Sequence, residues 1–84
     1  NGITLLGSNG FVAGNRIEGT GASALRSVPV KALKGSENTF AWNDISNFQA
    51  SSADFLCLGN NNIYIGAKCN VADKGDKNMI LTKN

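Results

Sequence analysis

Apolar residues fall along this chain in short clusters. Residues 3–6, 11–13, 24–30, 39–42, 54–58, 63–65 and 79–82 carry most of them, and each cluster is bounded by Gly, Asn or Ser. Clusters this short, closed by turn formers, predict many short strands. No segment has a helical period. Residues 20–33 hold Gly21 near their start and Pro29 in the middle, and a proline there breaks a helix interior.

The clusters repeat. Asn15-Arg16-Ile17 aligns with Asn43-Asp44-Ile45, and an apolar residue, Val12 or Phe40, lies five positions before each Ile. Small polar tails follow, Gly21-Ala22-Ser23 and Gln49-Ala50-Ser51, and then an apolar stretch begins again. A looser third unit runs through Asn62-Ile63-Tyr64-Ile65-Gly66, Asn70-Val71 and Asn78-Met79-Ile80. A parallel β-helix accounts for this pattern. Its chain turns a corner every few residues, Gly and Asn tolerate the corner angles, and like residues of successive coils lie in columns. The expected inward columns are Val12, Phe40, Ile63 and Ile17, Ile45, Val71. Asn15, Asn43 and Asn70 would form a ladder of side-chain amides.

The stretch NGFVAGNRIEGTG, residues 9–21, resembles the N-x-φ-x-G-N-x-I-x-G repeat of right-handed parallel β-helix proteins, the NosD-type and pectate-lyase-like repeat families. Residues 60–80, NNNIYIGAKCNVADKGDKNMI, are similar to the last coils of such proteins. The resemblance implies an all-β solenoid of about three coils, a secreted or cell-surface location, contact with polysaccharide and, in some members, lyase or hydrolase activity. Active members have more coils, and no arrangement of calcium ligands or catalytic Arg and Lys stands out here.

Composition narrows the picture. The chain has 84 residues, one domain or a piece of a longer β-helix. Its charged fraction is 17% and its net charge +2, too little to argue for nucleic acid or an anionic membrane. No apolar window is long enough to span a bilayer as a helix. The first residue is Asn1, with no signal-peptide pattern after it, so the chain reads as a processed product, an excised fragment or a trimmed piece. Natural processing would imply secretion.

Candidate chemistry is sparse. There is no His. Glu18, Glu37, Asp44, Asp54, Asp73 and Asp76 are the carboxylates, and Asp44 and Asp73 sit near corners where they could approach each other as a glycosidase pair would. The alternative is that both are solvated turn residues. Asp73-Lys74-Gly75-Asp76 has a superficial likeness to a calcium loop but lacks the further ligands of one, and a plain turn is the simpler reading. No catalytic residue, metal ligand or cofactor site is assigned. Lys31, Lys34, Lys74, Lys77 and Lys83 read as solubilising charges. Cys57 and Cys69 allow two readings, one disulfide in an extracellular protein or two thiols with Cys57 in the core. Trp42 stands where the first unit has Gly14. It is either core, as alternation from Phe40 suggests, or exposed and able to stack on a sugar ring or a neighbouring protomer. Alternation places Tyr64 opposite Ile63 and Ile65 and makes it the more exposed of the two aromatics, a second candidate ligand contact.

Both termini carry apolar stretches without polar caps, NGITLLG and KGDKNMILTKN. Three arrangements satisfy such ends: upstream coils lost from the piece, stacking of copies, or a strand added by a partner. The function expected is an extracellular structural protein whose coils stack end to end into an oligomer or filament. The runner-up is the C-terminal part of a carbohydrate-binding or polysaccharide-processing β-helix.

Overall fold

The computed structural model describes residues 2–29 and 37–83, so the expectations placed on Asn1, Val30, Lys31, Leu33, Lys34 and Asn84 lie outside the described residues. Among the described residues ten strands run in order: β1 (Ile3–Leu6), β2 (Phe11–Ala13), β3 (Gly19–Gly21), β4 (Leu25–Val28), β5 (Thr39–Ala41), β6 (Phe48–Ala50), β7 (Phe55–Cys57), β8 (Ile63–Ala67), β9 (Val71–Asp73) and β10 (Met79–Lys83). Among the described residues there is no helix.

All pairing between the strands is parallel. The first sheet has the order β1-β4-β7-β9, the second β10-β8-β5-β2, and β3 pairs with β6 in a third. The chain visits second, third and first sheet in turn through β2, β3, β4 and again through β5, β6, β7. After β8 it passes directly to β9 and β10, so the last circuit skips the third sheet.

Alternation along each strand sends every second side chain inward. On the first sheet the inward residues in register are Ile3, Leu25, Phe55 and Val71. On the second they are Val12, Phe40, Tyr64 and Ile80. Ile17 and Ile45 are buried on the third side, next to the bridge between Arg16 and Asp44. Between the sheets, Phe55 lies 4.9 Å from Phe40 and 5.4 Å from Tyr64, ring centre to ring centre. These are favourable aromatic separations.

Three expectations are corrected. Tyr64, not Ile63, continues the Val12–Phe40 column, and Ile63 pairs with Thr39 on the outer face. Val71 belongs to the first sheet, opposite Phe55, because the last circuit has no strand on the third side. Asn70 joins no amide ladder, and its backbone N–H donates to Asp54 Oδ2.

The corner between first and second sheets is built the same way four times. Asn9, Glu37, Asn61 and Lys77 have positive φ, between 46° and 62°. Each directly precedes Gly10, Asn38, Asn62 or Asn78, and a strand of the second sheet follows at once. Gly10 N–H donates to Asn38 Oδ1, Asn38 N–H to Asn62 Oδ1, and Asn62 N–H to Asn78 Oδ1. The steps along this ladder are 28, 24 and 16 residues. The left-handed turn aims the next residue across the corner, and its side-chain oxygen takes the place of a strand carbonyl. A second ladder is shorter: Asn43 Oδ1 accepts from both the backbone N–H and Nδ2 of Asn15, while Asn43 Nδ2 donates to Val12 O.

Candidate functional site

Trp42 directly follows β5 and enters the left-handed region at φ 53°. That region favours Gly and costs a bulky residue about 1–2 kcal/mol. The flip breaks the alternation that would have buried the ring with Phe40, and the side chain is 59% exposed. Its neighbours in register are small. Ala13, Ala41 and Ile65 lie side by side, so Gly14, Trp42 and Gly66 follow in a row. No neighbouring side chain in that row covers the indole.

Beside the ring runs a groove of about 380 Å³, bordered by Asn43, Asp44, Ala67 and Lys83. It continues past Asp44 into a cavity of about 270 Å³ with Ile45, Phe48, Asp54, Lys68 and Cys69 in its wall. Asp44 is the best-defined polar group. Its Oδ1 accepts the Ser46 hydroxyl at 2.6 Å and the Ser46 backbone N–H at 3.0 Å. Those bonds, with a smaller contribution from the Arg16 guanidinium, hold its carboxyl below the usual value. Arg16 in turn pairs with Glu18 at 2.8 Å on the surface. The groove therefore offers an aromatic face, a fixed carboxylate and two lysines. This set suits a ligand with a flat apolar face and hydroxyl donors.

The predicted residues end up in different places. Trp42 is exposed and at the groove. Tyr64 is 2% exposed and buried, the reverse of the expected order, because its register with Phe40 turns it inward. Its hydroxyl donates to Ala67 O at 2.7 Å. Asp44 and Asp73 are not brought together. Asp73 closes β9 in the first sheet, where Oδ1 accepts from Gly75 N–H and Asn78 Nδ2, a turn arrangement. Asp54 is the carboxylate that shares a cavity with Asp44. Among the described residues no three His, Cys, Asp or Glu cluster as a metal site. Cys57 and Cys69 are free thiols with separate partners. Cys57 is in the core and receives Asn62 Nδ2 at 3.2 Å, and burial pushes its pKa up to about 11. Cys69 donates to the Tyr64 hydroxyl at 3.4 Å, and burial raises its pKa too.

Sequence reasoning found Asn43 but not the buried amides of the longer ladder. Asn62 is fully enclosed: Oδ1 accepts from Ser27 Oγ and Asn38 N–H, and Nδ2 donates to Cys57 Sγ and Asn78 Oδ1. Asn38 Nδ2 reaches Gly7 O and Ser27 Oγ. A signal for them was present, since Asn38, Asn62 and Asn78 each stand two positions before an inward apolar residue.

The two rims form a second candidate site. Leu25, Phe55 and Phe40 are 0% exposed in mid-column, whereas Ile3 and Val71 at the ends of theirs, and Ile80 at the end of the second-sheet column, are only partly buried. β1 and β9 are the edges of the first sheet, β2 and β10 of the second. No protein-family model matches the chain, and no curated protein and no solved structure shows significant similarity to it. No helix among the described residues is long and apolar enough to cross a membrane.

Proposed function

We propose that the chain is a parallel β-helix of the right-handed repeat kind its sequence resembles. In this reading it is an extracellular structural building block that stacks end to end with copies of itself. The rotation through three parallel sheets and the two amide ladders support the coil. The rims support the stacking: the first-sheet column ends in half-buried Ile3 and Val71, and the second-sheet column ends in half-buried Ile80 at β10, with Val12 buried at β2. Exposed strand edges of this kind invite pairing. In a stack, β10 of one copy would meet β2 of the next, and β9 would meet β1. Ile80 would then cover Val12, and Val71 would cover Ile3. Such a head-to-tail contact is heterologous and extends into filaments.

Sedimentation velocity across a concentration series tests the stacking. Ile3 and Gly7 N–H groups donate inward to Ala24 O and Val28 O. By the alternation of a parallel ladder, Thr4 N–H faces the open edge. Thr4→Pro therefore blocks that edge without removing an internal bond. The wild-type chain should form oligomers longer than a dimer and Thr4→Pro should not. A wild-type chain that never exceeds a dimer at any concentration rules the stacking out.

A second reading rests on a different observation, the strained and uncovered Trp42 beside Asp44. In that reading the chain is the C-terminal part of a β-helix that binds polysaccharide, with the indole stacked on a sugar ring. A glycan array with Trp42→Ala as the control decides it. Glycan signal that survives the substitution, or none with the wild type, dismisses Trp42 as the contact.

A further inference from the structure

The outer surface of the second sheet stands apart from the rims. Its outward residues form two columns across four strands: Phe11, Thr39, Ile63 and Met79, then Ala13, Ala41, Ile65 and Leu81. Seven of the eight are apolar, and none is charged. Phe11 is 70% exposed, Met79 52% and Leu81 48%. At one border stands Trp42, whose groove includes Ala67 and Lys83, the next outward pair of β8 and β10. At the other border run the exposed left-handed corner residues Asn9, Glu37, Asn61 and Lys77. The surface thus has an apolar centre and polar margins, the layout of a protein interface.

We infer that this face packs against the same face of a second copy, making a two-fold pair of sheets side by side. The area favours that occupant. The exposed parts of Phe11, Trp42, Met79 and Leu81 and their neighbours amount to roughly 600–800 Å² per copy, close to the ~800 Å² that each partner contributes to a standard interface. Two sheets with staggered large and small outward residues can interdigitate at about 10 Å separation, as in a β-sandwich. Alanines 13 and 41 leave hollows into which Phe11 and Met79 of the partner copy can fit. The pairing is lateral and closes on itself, so it uses no strand edge and does not depend on end-to-end stacking.

The experiment uses the Thr4→Pro chain, in which the edge at β1 is blocked, and compares it with Thr4→Pro carrying Phe11→Lys and Leu81→Lys. Both added changes are at exposed outward positions, and Ala13→Arg serves as an independent second variant. Mass by sedimentation equilibrium is read beside the emission of Trp42, the only tryptophan. The Thr4→Pro chain should reach twice the chain mass as concentration rises, with Trp42 emission moving to shorter wavelength. The lysine and arginine variants should stay at the chain mass, with emission unmoved and an unchanged circular dichroism spectrum. A Thr4→Pro chain that is monomeric at every concentration overturns the pairing. Lysine and arginine variants that still pair overturn it as well. So does a monomer whose emission shifts only on adding phosphatidylcholine–phosphatidylglycerol vesicles, which would assign the face to lipid. A wild-type chain that never exceeds a dimer, with the dimer retained in Thr4→Pro, would end the stacking proposal and leave this one standing.

Discussion

Asn62 is the residue on which most of the buried polar chemistry converges. Both its donors and its acceptor are used by Ser27, Asn38, Cys57 and Asn78. A buried amide satisfied this fully contributes modestly itself, but deleting it strands its partners without water. Asn62→Leu keeps the branched shape of the side chain and removes every hydrogen bond that side chain makes. It should cost about 2–4 kcal/mol, measured by urea denaturation, and more than Asn15→Leu at the exposed end of the other ladder. A loss no greater than that of Asn15→Leu would show that the network is not cooperative. Trp42 has the opposite character. Its backbone is in a region that Gly14 occupies at the equivalent corner, so Trp42→Gly should leave stability unchanged or raise it by up to ~1 kcal/mol. If it instead destabilises strongly, the ring is packing rather than waiting for a partner.

At the scale of elements, the unit that repeats is a corner: a left-handed residue, a ladder residue, an outward residue and an inward one. Two of its left-handed positions hold Asn, as the angle favours, but Glu37 and Lys77 hold charged residues. Lys77→Gly should therefore stabilise the chain by about 0.5–1 kcal/mol in the same denaturation assay. Much of this scale was legible in advance. The clusters at 3–6, 11–13, 39–42, 54–58, 63–65 and 79–82 correspond to β1, β2, β5, β7, β8 and β10. Three strands were not recognised. β3 is Gly-Thr-Gly and has no apolar side chain, and β6 and β9 are short, with no clear alternation. The Asn-x-Ile alignment located the Asn15–Asn43 pair correctly, since those units have the same length. It failed for Ile63, Val71 and Asn70 because the step shortens from 28 to 24 to 16 and the last circuit drops a side. Trp42 exposure depended on one backbone angle, which alternation alone cannot supply. Alternation placed Tyr64 and Ile63 on opposite faces correctly, but the column took Ile63 instead of Tyr64 as its inward member.

For the whole molecule, three buried or half-buried acids respond to alkali together. Burial raises the pKa values of Cys57, to about 11, and of Tyr64 and Cys69. The folded chain then holds these protons more tightly than the unfolded one. Stability is fully present below the ordinary thiol range near pH 9 and falls as pH rises toward and past the raised values. The melting temperature should drop steadily from pH 8.5 to pH 11, and Cys57→Ala should flatten part of the slope. A melting temperature independent of pH across that range would contradict the burial of these groups.

The shortening steps also set an order in time. With no hairpin among the described residues, the chain must close a loop before any of these strands finds a neighbour, and the closure entropy grows with the logarithm of loop length. Closing 16 residues rather than 28 saves about half a kcal/mol. The tight third circuit is therefore the cheapest nucleus, and it is made after the wider ones. The earlier segments must wait, unpaired, for the residues that template them.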